Sequence, residues 1–183
     1  MKTVQPIREI DTIAQVKQLL QDRGGKYYIM FVIGLNTGLR VSDILNLRAA
    51  DIRGKRHVTL TEKKTGKSKR FLVNDKLQQE VDCFITAGGL CDGDYLIASR
   101  KGRNRPITRV QAYRILRDTA ARLNLSEIGT HTMRKTFGYW HYKQHKDVAV
   151  LQDIFNHSAP GITLKYIGIT QDVKDRTLQD FFL

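Results

Sequence analysis

The chain has 183 residues, 41% of them apolar and 8% aromatic, which suffices for a real core in one domain and argues against a disordered segment. Lys and Arg number 31 against 18 Asp and Glu, giving a net charge of +13 and a pI near 9.9, and such an excess on a folded chain points to a polyanionic partner. No apolar run approaches the ~20 residues of a membrane span, and residues 1–20 lack a secretion pattern, so a soluble, cytoplasmic protein with no membrane association is expected.

Thr12-x-x-Gln15 reads as a capping box opening a first helix, with Ile13, Val16 and Leu20 on one stripe and Gly24-Gly25 at its end. Residues 26–36 are apolar nearly all round, the pattern of a buried central helix. Thr37-Gly38-Leu39-Arg40 then turns into a third helix over 41–47, with Val41, Ile44 and Leu45 inward. Arg40 at that start lies on the unfavourable side of the helix dipole, which suits a residue held there to meet an anion.

From His57 the period becomes two, with Val58 and Leu60 on one strand, Phe71 and Val73 on another, and residues 62–69 as a lysine-rich tip. Gly66-Lys67-Ser68 resembles the end of a nucleotide P-loop, but Thr61 stands where the first glycine belongs and a strand follows, so a nucleotide site is rejected. Residues 75–85 form an amphipathic helix broken by Gly88-Gly89, and Tyr95-Leu96-Ile97 suits a short strand. Thr108-x-x-Gln111, a second capping box, opens a long helix with Val110, Tyr113, Leu116, Ala120 and Leu123 inward and Arg109, Arg114 and Arg117 outside. A helix from His131, another over 148–155, a segment bearing Tyr166 and a last helix over 172–182 complete the chain. The fold expected is mainly α with a small antiparallel β-sheet (α+β), either a hairpin or three strands, without internal repeats or a second domain.

The positive charge is focused. Residues 53–70 hold eight Lys or Arg against one acid, and residues 100–117 hold seven against none. A solvated face usually carries interspersed carboxylates, so a nucleic-acid groove is favoured, lined by Arg53, Lys55, Arg56, Lys63, Lys67, Lys69 and Arg70 from the first stripe and Arg100, Lys101, Arg103, Arg105 and Arg109 from the second. Cys83 and Cys91 are the only cysteines and have no Cys-x-x-Cys spacing, which fits a reducing compartment better than a disulfide scaffold or metal site. His141 and His145 have zinc spacing, yet no Glu follows His141 and no third ligand is evident, so they read as structural or DNA-facing.

The chemistry concentrates late in the chain. His131 and Arg134 stand three apart at a helix start, and His157 and Tyr166 follow. Singly these are an ordinary helix-end pair, a loop histidine and a packing tyrosine. Together, imidazole and guanidinium suit a phosphodiester and a phenol supplies a nucleophile, the makings of a phosphoryl-transfer centre.

Thr37-Gly38-Leu39-Arg40-Val41-Ser42-Asp43, Lys64-Thr65-Gly66 at the hairpin tip, His131-x-x-Arg134, and His157 followed nine residues later by Tyr166 resemble, in that order, the tyrosine recombinase or phage integrase family. The resemblance covers the catalytic domain from about Thr12 onward. It implies a site-specific recombinase that cleaves and rejoins double-stranded DNA through a 3′-phosphotyrosyl link, without metal, ATP or any other cofactor. By the same resemblance Tyr166 is the nucleophile, Arg40 and Arg134 clamp the phosphate, and His131 helps to take the tyrosine proton. His157 donates to the phosphate, Lys64 protonates the leaving 5′-oxygen, and Asp43 buttresses Arg40. The surrounding cations are expected to favour the phenolate of Tyr166.

Asn156 stands where many members carry glycine. Only 39 residues precede Arg40, so one catalytic domain over 1–183 is expected without the family's separate core-binding domain, as in an excised fragment or a naturally short recombinase resembling the fimbrial-type invertases. The apolar end, residues 178–183, is expected either to pack on its own domain or, as in the family, to dock on a neighbouring protomer on DNA. Two rival functions remain: DNA relaxation of the type IB topoisomerase kind, and a DNA-binding regulator with a silent site.

Overall fold

The computed structural model describes residues 4–61, 66, 68–179 and 181–182. Its centre is the most apolar segment. Helix α2 (Gly25–Thr37) buries Ile29, Met30, Phe31, Val32 and Ile33, and a helix apolar all round must be covered on every side. That cover comes from α1 (Ile10–Arg23), α3 (Val41–Ile44), α5 (Asp75–Ala87) and α7 (Thr132–His145). α2 stops at Gly38, whose φ of 62° is left-handed and whose hydrogen faces the Phe137 ring, where a Cβ would sit 2.5 Å away. Only glycine satisfies both conditions, and the turn it makes delivers Arg40 to the start of α3.

Several boundaries differ from the sequence pattern. α1 begins at Ile10 with Glu9 as N-cap, so Thr12 lies inside the helix and its capping box does not form. The cause is tertiary: Ile7 is buried and its N–H donates to Thr136 Oγ1 at 2.9 Å, which fixes where the chain enters the helix. α3 is one turn shorter than expected, although Leu45 and Leu47 beyond it remain in the core. A short α4 (Ala49–Ile52) leads to β1 (His57–Thr61), which pairs antiparallel with β2 (Ser68–Leu72), Val58 opposite Phe71. No third strand joins them among the described residues. Tyr95 makes only a single bridge to Arg48, and Ala98 bridges Pro106, which has no N–H to extend a ladder; Leu96 and Ile97 are used as core instead.

α6 (Arg109–Ala121) does open with the Thr108–Gln111 capping box. Its inward face is turned from the one expected. Ala112, Ile115, Leu116, Thr119 and Ala120 are buried, whereas Val110 and Tyr113 are 56% and 41% exposed. That face packs α6 against α1 and α3, so the tertiary contact decides which residues point inward.

A second apolar cluster of Tyr139, Leu151, Phe155, Ile167 and Ile169 joins α7 to α8 (Val148–Phe155), α9 (Pro160–Tyr166) and α10 (Ile169–Gln179). α10 starts before Asp172 and ends before the aromatic tail. Leu178, Phe181 and Phe182 are 63%, 62% and 95% exposed, so the expected packing of this end on its own domain does not occur among the described residues. The N-terminal segment lies across α7 and α10 as a strap: Trp140 Nε1 donates to the Ile7 carbonyl at 3.0 Å and Arg8 pairs with Asp172 at 2.9 Å. Among the described residues no helix is long and apolar enough to cross a membrane.

Candidate active site

One side chain explains why distant segments meet. Arg134, on the first turn of α7, is only 3% exposed and forks between two carbonyls: Nη1 donates to Gly38, and Nη2 to Phe155 at 3.0 Å. Its guanidinium carbon also lies 4.3 Å from the centre of the Phe155 ring. The turn preceding Arg40 and the end of α8 preceding His157 are thereby fixed to the same planar cation.

At that end of α8, Asn156 adopts left-handed φ and ψ of 53° and 50°, and the His157 N–H donates to the Gln152 carbonyl at 3.0 Å. Asn is the best non-glycine substitute in this conformation, so the departure from glycine leaves the turn intact. His157 Nδ1 lies 3.0 Å from Oγ1 of the fully buried Thr163, a contact that orients the ring and leaves Nε2 for another partner.

Tyr166 closes α9. Its hydroxyl is 3.2 Å from His131 Nδ1, and its ring meets those of His157 and Phe155 edge-on, at centroid separations of 5.1 and 5.5 Å. The Lys135 ammonium lies over the Tyr166 ring at 5.0 Å. Arg40, His131 and Arg134 line a single cleft, together with Ser42, Arg109 and the exposed Val110 and Tyr113. Asp43 is buried one turn past Arg40 and its N–H donates to the Arg40 carbonyl at 2.9 Å.

The electrostatics correct one expectation. Burial pushes the Tyr166 phenol above its ordinary range, and the opposing pull of Arg134, then Arg40, does not overcome it. The resting side chain is therefore a phenol, and its attack on phosphorus requires transfer of the proton. His131 is held below its usual pKa by partial burial, then by Arg134, Lys135, Arg40 and Arg109. It is neutral near pH 7, and in its Nε2–H tautomer Nδ1 accepts from the Tyr166 hydroxyl. His157 is lowered by burial, then by Arg134 and Arg40.

The candidate residues thus divide. Arg40, His131 and Arg134 line one cleft, Tyr166 joins it through His131 and His157 packs on the Tyr166 ring, while Asp43 is buried behind Arg40 and Lys63, Lys64 and Lys67 lie outside the described residues. Lys69 Nζ donates to the Ile154 carbonyl, which fastens β2 beside the end of α8. Arg53 pairs with Asp92 at 3.1 Å and donates to the Leu90 carbonyl, ties that secure its own loop. Lys55, Arg56, Arg70, Arg100, Lys101, Arg103 and Arg105 are exposed, and Arg109 reaches the cleft. The His141 and His145 rings lie 4.7 Å apart, tilted by 51°, and among the described residues no three metal-ligating side chains gather. Lys135 and Thr163 were not singled out by the sequence pattern. Each stands near a motif residue, but neither spacing is distinctive without the fold.

The model of the phage integrase family matches residues 8–172 of this chain. The chain belongs to that family. A probable integrase/recombinase of Bacillus subtilis, YoeC, is 47% identical over 172 residues, covering 94% of this chain and 93% of its relative. Other curated tyrosine recombinases are longer; the chain covers 56% of the one from Pseudothermotoga lettingae, at 27% identity over 88% of this chain. In three dimensions the crystal structure of XerA recombinase matches with a TM-score of 0.76 at 17% identity, over 96% of this chain and 65% of that one. The XerH site-specific recombinase bound to its difH substrate in a pre-cleavage complex matches at 0.70 and 14%, over 90% and 51%. The mainly helical fold with a two-stranded sheet is that of tyrosine recombinase catalytic domains.

Proposed function

We propose that this member of the phage integrase family is a site-specific DNA recombinase that cuts and rejoins double-stranded DNA with Tyr166 as nucleophile. The observation that carries this is the 3.2 Å approach of the Tyr166 hydroxyl to His131 Nδ1 at the edge of a cleft lined by Arg40 and Arg134. The phenolic oxygen bonds to phosphorus as His131 takes its proton, and the bond to the 5′-oxygen breaks. A 3′-phosphotyrosyl link and a free 5′-hydroxyl result. Arg40 and Arg134 gather the charge that builds on the non-bridging oxygens of the phosphorane, a service worth more in the transition state than in the ground state. His157 donates to the same phosphate, Asp43 supports Arg40, and Lys64 is the residue assigned to protonate the leaving oxygen.

Because the phosphodiester energy is retained in the protein link, a second 5′-hydroxyl reverses the step and exchanges strands. The exposed basic side chains at 55, 56, 70, 100, 101, 103, 105 and 109 supply sequence-independent phosphate contacts. The exposed apolar tail at Leu178, Phe181 and Phe182 provides a surface for a neighbouring protomer on DNA. Deletion of residues 178–183 should then weaken DNA-dependent assembly; unchanged assembly would remove this part.

The test is a nicked suicide substrate in EDTA, resolved by denaturing electrophoresis. A covalent protein–DNA band is expected from the wild type and not from Tyr166→Phe. Binding with no band from either protein would point to a silent regulator. Relaxation without exchange between sites would point to a topoisomerase.

A further inference from the structure

Lys135 follows Arg134 on α7 but takes no part in the phosphate clamp described above. It is half-buried, its ammonium donates to the Val4 carbonyl at 2.8 Å, and the same ammonium lies 5.0 Å from the centre of the Tyr166 ring. A cation over an aromatic face is held by the ring quadrupole, more strongly when water is excluded. The next residue, Thr136, accepts from the Ile7 N–H, and Trp140 donates to the Ile7 carbonyl. Farther along the strap, Arg8 pairs with Asp172 on the helix that follows Tyr166. The N-terminal strap therefore grips α7 at the lysine that faces the tyrosine, and grips α10 just beyond it.

Resting on Tyr166 as the nucleophile, we propose that Lys135 is a positioning residue: it seats the Tyr166 ring beside His131 and His157 and couples that seat to the N-terminal strap. A phosphate contact is the other use for a lysine in this neighbourhood. It would require the ammonium to leave both the Val4 carbonyl and the ring, whereas Arg40, Arg109 and Arg134 already line the cleft. Lys135 also acts on His131, which Arg134, Arg40 and Arg109 face as well, and its charge helps to keep that imidazole neutral.

The experiment compares Lys135→Met, Lys135→Arg and Thr136→Val in the full chain. Three quantities are measured: the single-turnover rate of covalent complex formation against pH, DNA affinity, and the ¹⁹F spectrum of 3-fluorotyrosine-labelled protein, with the Tyr166 resonance assigned by its loss in Tyr166→Phe. Lys135→Met is expected to slow covalent complex formation about tenfold at saturating DNA, the scale of a partly desolvated cation–π contact, with affinity nearly unchanged. Its Tyr166 resonance should move, and the acid limb of its rate profile should shift to higher pH as His131 is relieved of one cation. Lys135→Arg should recover most of each effect. Thr136→Val, which loosens the strap, should slow the reaction in the same direction and combine with Lys135→Met less than additively.

Wild-type rate with an unmoved resonance in Lys135→Met would overturn the proposal, as would a loss of DNA affinity equal to the loss of rate. If Lys135→Met does not fold, wild-type behaviour in Thr136→Val overturns the coupling. Should the wild type form no covalent complex, the nucleophile assignment fails, while an unmoved fluorine resonance separately refutes the contact.

Discussion

Gly138 sits midway along α7, where the helix crosses the two segments that carry the site. A Cβ at this position would lie 2.6 Å from Ile167 Cγ2 and 2.7 Å from Phe155 Cε2 and Cζ. Carbon atoms in ordinary contact are ~3.5–4.0 Å apart, so Gly138→Ala forces those neighbours back by about 0.8–0.9 Å. Ile167 follows Tyr166, and Phe155 precedes the Asn156-His157 turn while supplying a carbonyl to Arg134. Both reactive segments should therefore move. Overpacking costs roughly 1–3 kcal/mol, and alanine's better helix propensity returns about 1 kcal/mol. The net loss is about 1 kcal/mol, or about 3 °C in Tm for a chain of this size. The effect on chemistry is expected to be larger, because a misplacement near 1 Å costs about 100-fold in rate. Thermal unfolding and single-turnover covalent complex formation on a suicide substrate separate the two effects. A variant with a Tm raised by about 3 °C and an undiminished rate would refute the described packing of α7 on α8 and α9.

Further outcomes follow from the same geometry. Arg134→Lys keeps the charge but loses the fork to Gly38 and Phe155; covalent complex formation should fall by at least about 100-fold with little change in DNA affinity, and a large parallel loss of affinity would contradict its transition-state role. Asn156→Gly should keep stability within a few tenths of a kcal/mol, whereas Asn156→Ala should cost about 1 kcal/mol by thermal melt, because its φ is left-handed. His157 has a native pKa below the ordinary value of about 6.5, so the unfolded chain binds protons first as pH falls. Stability present above about 6.5 should then be lost through the interval down to the native pKa, and His157→Gln should flatten that part of a Tm-versus-pH curve; an unchanged curve would contradict the assignment.

Much of the architecture was legible because strong local rules agreed with tertiary need. The all-apolar run of α2 could only be a core helix, Gly38 could only be a turn, and Thr108 and Gln111 formed the reciprocal cap their spacing specifies. Where the sequence misled, long-range packing had the deciding vote. Thr12 lost its capping role to the docking of Ile7, and Val110 and Tyr113 gave up the inward face of α6 to Ala112, Ile115 and Thr119, where the helix packs on α1 and α3. Arg40, His131, Arg134, His157 and Tyr166 were recognisable as a set by order and chemistry. Their assembly was not, since it depends on Arg134 bridging carbonyls on two segments and on Thr163 orienting His157. The balance between burial and cations at Tyr166 was equally invisible, because it is a property of packing depth and not of residue type.

The most direct measurement is the identity of the side chain that carries DNA. After reaction with a suicide substrate, nuclease digestion and trypsin cleavage, mass spectrometry should find a 3′-linked nucleotide on the peptide spanning residues 166–174, attached at Tyr166. An adduct on any other residue, or strand cleavage that leaves every peptide unmodified, would contradict the account.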